Sequence, residues 1–509
     1  MNYKMMGRFF GVILCLESIF MLPAFIIALA DKTGRVALGF GLTALICALL
    51  GALLLILCRG AKSDFFAKEG LVCVGLSWIL LCLFGALPLF IGDDIPSYID
   101  ALFEMVSGFT TTGASICPNV EALSRATLYW RSFSHWIGGM GVLVFVMALI
   151  PVGGKSEGFT MHLLRAETTG PNSQKLVPRM RQTAIILYLV YVALTLLCFI
   201  FLVFDMPAFD AFCTSLGTAG TGGFGVRNDS LASYSPYAQT VTAVFMILFG
   251  VNFSIFYLIL LRNFLGVLRD EELRLYLSIV GGATLLITLN IRTLYGTLGE
   301  ALRHAFFQVS SIITTTGFAT ADFDLWPSFS KAILIFLMIV GGCAGSTAGG
   351  LKCARLLLLS KSFIRNIGRV QNPQKVAVIR INKKPVDEKL VTATSAYLCA
   401  YLLIALVSFL LISIDGFSVT TNISSVLACF NNVGPGLEAV GPTRNYSAFS
   451  DFSKVVLILD MLAGRLEIFP ILALFSTKAF RRGWAPAAQS APRSFFYVII
   501  VIIKKRKKI

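Results

Sequence analysis

The chain has 509 residues, 56% hydrophobic and only 14% charged, with a mean hydropathy of +0.80 and a formal net charge of +16. This composition excludes an ordinary soluble domain, and the many apolar runs of about 20 residues are of membrane-crossing length. The positive charge invites a nucleic-acid reading, which its placement along the chain argues against.

Spans are expected near 9–30, 36–58, 71–92, 133–152, 183–204, 238–261, 276–290, 331–351, 391–414 and 454–477. With the N-terminus in the cytoplasm, 32 of the 43 Lys and Arg fall in segments on that side and 7 on the other, the asymmetry that orients membrane helices. Both termini are then cytoplasmic. None of the 12 Cys forms a CxxC pair and most lie in apolar runs, where they read as packing residues. The three His are scattered, so a metal centre or a catalytic constellation is not expected, and the chain does not read as an enzyme.

Residues 1–70 hold two helices joined by the short turn Asp31-Lys-Thr-Gly-Arg35. The apolar run Phe9 to Ala30 is long for a signal peptide and flows into the second span, so an uncleaved helix is expected. Glu17 lies inside it, where a carboxyl hydrogen-bonded between helices is expected.

Residues 71–182 make a first repeat: a span, a short apolar segment from Pro96 to Gly108, the string Gly108-Phe-Thr-Thr-Thr-Gly-Ala-Ser115, and a returning span opened by Trp130-Arg-Ser-Phe-Ser-His-Trp136. The Thr/Gly string recurs around Thr218-Ala-Gly-Thr-Gly-Gly223 in residues 183–275, as Ile313-Thr-Thr-Thr-Gly-Phe318 in 276–390, and distantly as Phe430-Asn-Asn-Val-Gly-Pro435 in 391–485. Aligned on Gly113, Gly222, Gly317 and Gly434, the copies stand 109, 95 and 117 residues apart, the length of two crossings plus loops. Phe103, Phe212 and Phe307 share one offset from those glycines, and Ser424 takes the place in the fourth copy.

Irregular Thr/Gly backbone is tolerated in a bilayer only where it is buried in protein or lines water. Four such loops imply re-entrant segments meeting on one axis, with carbonyls replacing the hydration shell of a cation. Short helices aiming their C-termini at that axis add a negative field. Asp93, Asp94, Asp205, Asp229, Asp322, Asp324, Asp415 and Glu438 fall in outer loops, where they either gather cations at the mouth or make an ordinary solvated surface.

The third returning span contains Gly341-Gly-Cys-Ala-Gly-Ser-Thr-Ala-Gly-Gly350, followed by Leu351-Lys352, and five Gly in ten residues weigh against a continuous helix. Its spacing is not that of a phosphate-binding loop. A flexible intramembrane loop beneath the filter is expected, with small-residue helix packing as the competing reading. The basic loop Lys352 to Lys389 includes a hairpin pattern around Asn382-Lys-Lys, which reads as a docking site for a partner or for anionic lipid. In the last span, Arg465 falls near mid-membrane and reads as a barrier and gate element or as a structural ion pair, with Glu467 pointing elsewhere. The tail 486–509 carries Lys504-Lys-Arg-Lys-Lys508, and Phe495 to Ile503 is too short to span; it is expected at the inner interface.

Gly108-Phe-Thr-Thr-Thr-Gly113, Trp130 to Gly141, Gly341 to Lys352, Asn431-Asn-Val-Gly-Pro-Gly436 and Gly464-Arg-Leu-Glu467 together resemble the Trk/Ktr/HKT superfamily of potassium transporters, most closely its bacterial TrkH branch. The resemblance implies an all-α integral membrane protein with two N-terminal helices and four pseudo-symmetric span–pore helix–filter loop–span repeats, potassium-channel-like, around one central pore. It implies potassium uptake across the bacterial inner (cytoplasmic) membrane, with K⁺ as the permeant ion and no organic cofactor. The filter carbonyls implied are those of Thr110, Thr111, Thr112 and Gly113; Ala219, Gly220, Thr221 and Gly222; Thr314, Thr315, Thr316 and Gly317; and Asn431, Asn432, Val433 and Gly434. The gate implied comprises Gly341, Gly342, Gly345, Ser346, Thr347, Gly349 and Gly350, with Arg465 as electrostatic companion. A homodimer with one pore per protomer is implied, working with a cytosolic nucleotide-binding regulatory subunit of the TrkA type. Gly at all four aligned positions favours potassium, since Ser at the first goes with sodium preference in some plant relatives. Proton- or sodium-coupled symport, or a less selective K⁺/Na⁺ pathway, stands as the alternative.

Overall fold

The computed structural model describes residues 2–60, 67–141, 180–372, 374 and 377–474. The expected first returning span beyond residue 141, the loop after it and the basic tail lie outside them.

Helices dominate because the apolar runs leave the backbone no hydrogen-bonding solvent, so each amide must pair within its own segment. Helices α1 (Tyr3–Ala30) and α2 (Gly34–Leu57) form an antiparallel pair. Their backbones approach closely: a Cβ on either Gly11 or Gly51 would stand 2.9 Å from the other's carbonyl oxygen. Helix α3 (Ala67–Ile91) packs on α2 through the same device, a Cβ on Gly39 falling 2.9 Å from the Gly92 nitrogen. Glu17 is buried, and its carboxyl oxygens have no hydrogen-bond partner among the described residues, which corrects the expected interhelical bond.

From α3 onward a three-helix plan recurs. The long helices α3, α6 (Met180–Val203), α11 (Glu271–Ile291) and α15 (Glu388–Ile412) each precede a short one: α4 (Tyr98–Phe109), α7 (Ala208–Gly220), α12 (Leu298–Ile313) and α16 (Val419–Phe430). Returning helices follow: α5 (Arg125–Gly139), α8 (Pro236–Gly250), α13 (Ser328–Val340) and α17 (Asp451–Arg465). Three of the four returning helices start on a serine whose hydroxyl accepts from an amide one turn in: Ser124 from Thr127, Ser235 from Ala238 and Ser450 from Ser453. Six described helices are long and apolar enough to cross a membrane: α1, α2, α6, α11 and segments Gly70–Ile91 and Glu388–Asp415.

Two expected straight spans are broken. The span expected over 238–261 is α8 and α9 (Phe253–Leu260), bent by 92°. Asn252 accepts from the Ser254 amide, and the gap is bridged by another part of the chain: Cys343 donates to the Gly250 carbonyl at 2.9 Å and Phe253 donates to that of Gly345 at 3.1 Å. The last span stops at Arg465, turns through Glu467 (φ +55°) and Ile468 (φ +65°), and resumes as α18 (Phe469–Leu474).

Helices α10 (Phe264–Leu268) and α14 (Cys353–Gln371) and a two-stranded hairpin complete the description. The hairpin, β1 (Arg380–Ile381) with β2 (Lys384–Pro385), turns at Asn382 and Lys383 as the alternation implied. Its tip sits on the start of α11: Asn382 donates to Asp270 at 2.8 Å and accepts from the Glu271 amide at 2.9 Å.

Candidate ion pathway

The four short helices end alike. One residue in each exit turn is left-handed although it is not glycine: Thr111 (φ +56°), Thr221 (+54°), Thr315 (+55°) and Asn432 (+56°). Such a conformation costs on the order of 1–3 kcal/mol and persists only where the surroundings over-determine it. The next amide reaches five residues back in every copy: Thr112 to Ser107 (2.8 Å), Gly222 to Gly217 (2.9 Å), Thr316 to Ser311 (2.8 Å) and Val433 to Ala428 (2.9 Å). A glycine at positive φ follows: Gly113 (+79°), Gly223 (+75°), Gly317 (+87°) and Gly434 (+94°).

This geometry moves the second copy by one residue. Its equivalent of Gly113 is Gly223, whereas Gly222 corresponds to Thr112, and Ala219 lies within α7. The run Thr-Gly-Gly offers two glycines, and only the φ values tell which one makes the turn. The shared phenylalanine offset dissolves with it. Phe103 and Phe307 are buried, the equivalent buried residue of the second copy is Cys213, and Phe212 is 38% exposed.

The loops touch in a closed ring. A Cβ on Gly113 would run into the Gly222 carbonyl oxygen, one on Gly223 into that of Thr316, and one on Gly317 into that of Val433; one on Gly434 would stand 2.7 Å from that of Thr112. Each loop abuts the next and the fourth returns to the first. All four glycines line one cavity.

Hydroxyls and amides knit the ring. Thr110 and Thr112 share a 2.8 Å bond between hydroxyls, repeated by Thr314 and Thr316, and Asn432 donates to Thr112 Oγ1 at 3.0 Å, linking fourth loop to first. Asn431 pairs with the Tyr401 hydroxyl, and Tyr446 donates to the Gly434 carbonyl at 2.8 Å. The acidic residues of the outer loops have local partners, among them Ser233 on Asp229, Thr443 on Asp322 and the Glu438 amide on Asp324. Asp93 pairs with Arg35, Asp94 and Asp205 accept from Ser124 and Ser235, and Asp415 accepts from Ser450. Glu438 accepts from Ser418 and Thr421, and those bonds hold its carboxyl below the usual range. The charged side chains lining the mouth cavity are Arg131, Arg227 and Arg444.

Opposite the mouth lies the glycine-rich loop. Helix α13 ends at Val340 with Gly341 at φ +70°, and helix resumes only at Cys353. Gly349 donates to Thr315 Oγ1 at 2.6 Å, and its own Cβ position is 3.1 Å from that of Asn432, so the loop lies directly against the ring. Three hydrogen bonds help to hold it. Glu272 accepts from the Ala344 amide at 2.6 Å, Thr347 donates to the Phe249 carbonyl at 3.2 Å, and Lys352 donates to the Ala348 carbonyl. Arg465 donates to Thr347 O at 2.8 Å and to the carbonyls of Gly138 and Gly139 at 2.5 and 2.7 Å. Glu467 pairs instead with Arg355 at 2.5 Å, on the helix leaving the loop. Of the expected gate residues, Gly341, Gly342, Gly349 and Gly350 lie at the crossing of the loop's two ends or against the ring, Gly345 and Ser346 at its turn facing Asn252 and Cys343.

Glu104, Arg131, His135, Glu272, Tyr401 and Tyr446 were not singled out by the sequence as site residues. Glu104 and Arg131 carry a usable signal, a carboxylate in a short re-entrant helix and a guanidinium in the returning span, since buried charges need one another.

The family model described as "Cation transport protein" (TrkH) matches residues 40–481. The Trk system potassium uptake protein TrkH of Salmonella typhimurium is 36% identical over 491 residues, covering 94% of this chain and all of that protein. The protein of the same name from Escherichia coli K12 is 35% identical with the same coverage. The crystal structure of the potassium transporter TrkH from Vibrio parahaemolyticus superposes with a TM-score of 0.83 at 32% identity, over 94% of this chain and all of that one. A buried ring of four equivalent turns within a multi-pass helical protein, matched over nearly its whole length, places this chain in the TrkH family of cation transport proteins.

Proposed function

We propose that this chain carries potassium into the cell through the ring of four loops, moving K⁺ down its electrochemical gradient, which is worth about 2.3 kcal/mol per charge per 100 mV. The observation that carries the reading is the closed contact order of the four glycine turns, each glycine packed on the carbonyl of the following loop. Carbonyls brought to one axis replace the water a cation must shed. The filter strands are Thr110–Gly113, Gly220–Gly223, Thr314–Gly317 and Asn431–Gly434, the second shifted by the register of the turn.

The glycine-rich loop, Gly341 to Gly350, acts as the gate. Its contacts with Thr315 and Asn432 and the bonds that Arg465 makes to it support this reading, in which Arg465 adds a positive charge against the permeant ion. The pore repeats divide the chain at 71–182, 183–275, 276–390 and 391–485. The chain acts in the bacterial inner membrane with both termini cytoplasmic, as a homodimer served by a cytosolic nucleotide-binding subunit of the TrkA type. Support for the orientation comes from the charge asymmetry of the sequence, and support for a further subunit from relatives named as proteins of a Trk system.

Rubidium and potassium uptake into proteoliposomes of the purified protein, under a voltage step and with or without a pH gradient, tests the reading. Uptake that follows voltage and ignores the pH gradient is expected. No uptake of either ion by correctly inserted protein overturns it.

A further inference from the structure

Beside the ring, among the described residues, one ion pair has both side chains buried almost completely, and it belongs to the first repeat. Glu104, on α4, is fully buried and Arg131, on α5, is 1% exposed; their atoms Oε1 and Nε are 2.7 Å apart. Taking two charges out of water costs several kcal/mol per ion, so the pair is a poor way to gain stability. In the register fixed by the turns, Glu104 stands nine residues before Gly113. The same place holds Thr214, Gln308 and Ser425 in the other copies, all neutral. Counting from the start of each returning helix, the counterparts of Arg131 are Thr242, Leu334 and Leu457.

The pair grips the filter on two sides. Glu104 Oε2 accepts from the Ile116 amide at 2.8 Å, and its carboxylate also accepts from the Ser115 hydroxyl at 3.1 Å, so it holds the segment that leaves Gly113. Arg131 lies face-on to the Phe224 ring, 4.1 Å from guanidinium carbon to centroid, and Phe224 directly follows Gly223. The Phe224 amide donates to His135 Nε2 at 3.2 Å. That fixes the imidazole with its proton on Nδ1, which donates to the Gly108 carbonyl at 2.7 Å. The chain of contacts runs from α4 through Glu104, Arg131, Phe224 and His135 back to α4.

We propose that the Glu104–Arg131 pair is the positioning device for ion selectivity: it ties the exits of the first and second filter strands to one rigid frame, so that the cage cannot contract around a smaller cation. Neither residue touches the ion. The proposal rests on the filter assignment above and explains why a costly pair is kept where three equivalent sites manage without charge. A cage free to contract would coordinate Na⁺ as readily as K⁺, so loosening the frame acts on the ratio of the two fluxes rather than on their sum.

The test compares K⁺ and Na⁺ flux in proteoliposomes for Glu104→Gln, which keeps the shape and removes the charge, and for Phe224→Leu, which leaves the pair and removes the stacked ring. Gly113→Ser serves as the control for the filter itself. The expected result is a fall in the K⁺/Na⁺ flux ratio on the order of fivefold for Glu104→Gln and a smaller fall for Phe224→Leu. The double variant Glu104→Gln/Arg131→Gln leaves no unpaired buried charge and replaces the single variant if that one does not reach the membrane; the same fall is expected. A fall in both fluxes at constant ratio means ordinary structural loss and overturns the proposal. An unchanged ratio in these variants with a changed ratio in Gly113→Ser also overturns it while leaving the filter in place. An unchanged ratio in Gly113→Ser as well rejects the filter assignment.

Discussion

The guanidinium of Arg465 donates to the carbonyl oxygen of Thr347 at 2.8 Å, across 118 residues of sequence. The same side chain reaches the carbonyls of Gly138 and Gly139 at the end of α5. One cation thus binds a loop of the third repeat to the returning helices of the first and fourth. Three backbone oxygens engage its guanidinium, so the side chain works as a clasp between these elements.

Removing the clasp frees the loop. Hydrogen bonds to a charged group contribute about 1.5–3 kcal/mol each. Arg465→Ala is expected to raise basal potassium flux roughly tenfold, the effect of about 1.4 kcal/mol on the closed state. Arg465→Lys, with one compact head for three acceptors, falls between. Rubidium uptake by proteoliposomes measures both, and a flux unchanged in Arg465→Ala returns the residue to a purely structural role.

Glu272 holds the other side of the loop through the Ala344 amide. Glu272→Ala leaves that amide without its acceptor, a loss of about 1–3 kcal/mol if it stays buried. Higher basal flux with an unchanged K⁺/Na⁺ ratio is expected, because the contact lies on the loop and not on the ring. A shift in the ratio would place Glu272 in the filter's support instead.

The two adjacent glycines of the second loop should respond differently to alanine. At Gly223 the added Cβ meets the Thr316 carbonyl and the φ of +75° disfavours any side chain. At Gly222 it meets the imidazole of His135. Gly222→Ala should therefore regain part of its transport when combined with His135→Ala, while Gly223→Ala should not. Growth of a potassium-uptake-deficient strain on low K⁺ reads this out, and equal rescue of both would undo the register assigned here.

Gly138 lies against the Phe109 carbonyl and Gly464 against that of Phe430, the last residues of α4 and α16. These close approaches let returning helices pack on the short ones in the first and fourth repeats alike. Gly138→Ala and Gly464→Ala are each expected to cost about 1–3 kcal/mol, as overpacking of a filled site does. Thermal unfolding of the detergent-solubilised protein should show a lower midpoint for both, and an unshifted midpoint would mean the helices can move apart freely.

Much of this architecture is legible in the linear chain because a bilayer forbids alternatives. Apolar runs must be helices, charge must stay at their ends, and Thr/Gly strings such as Gly108–Ser115 must be buried in protein. Hence the four repeats, the interruption at Gly341–Gly350 and the hairpin at Asn382 follow from residue types alone. The sequence also misleads where it offers near-equal choices. Gly222 and Gly223 differ only in φ, which chemistry at a single residue does not set. Asp93, Asp94, Asp205 and Asp415 fit a cation-gathering mouth or an ordinary surface equally by composition, and their caps and local partners become visible only in the fold.

What the tertiary structure alone decides is pairing over distance. The break between α8 and α9 depends on Cys343 and Gly345, roughly a hundred positions away, supplying its missing hydrogen bonds. Arg465 finds its carbonyls on another helix and on the glycine-rich loop, and Glu104 finds Arg131 beside the ring. Local sequence fixes which groups seek a partner, because an unpaired polar group in a membrane is costly. Which partner satisfies each is settled only when all four repeats close on one another.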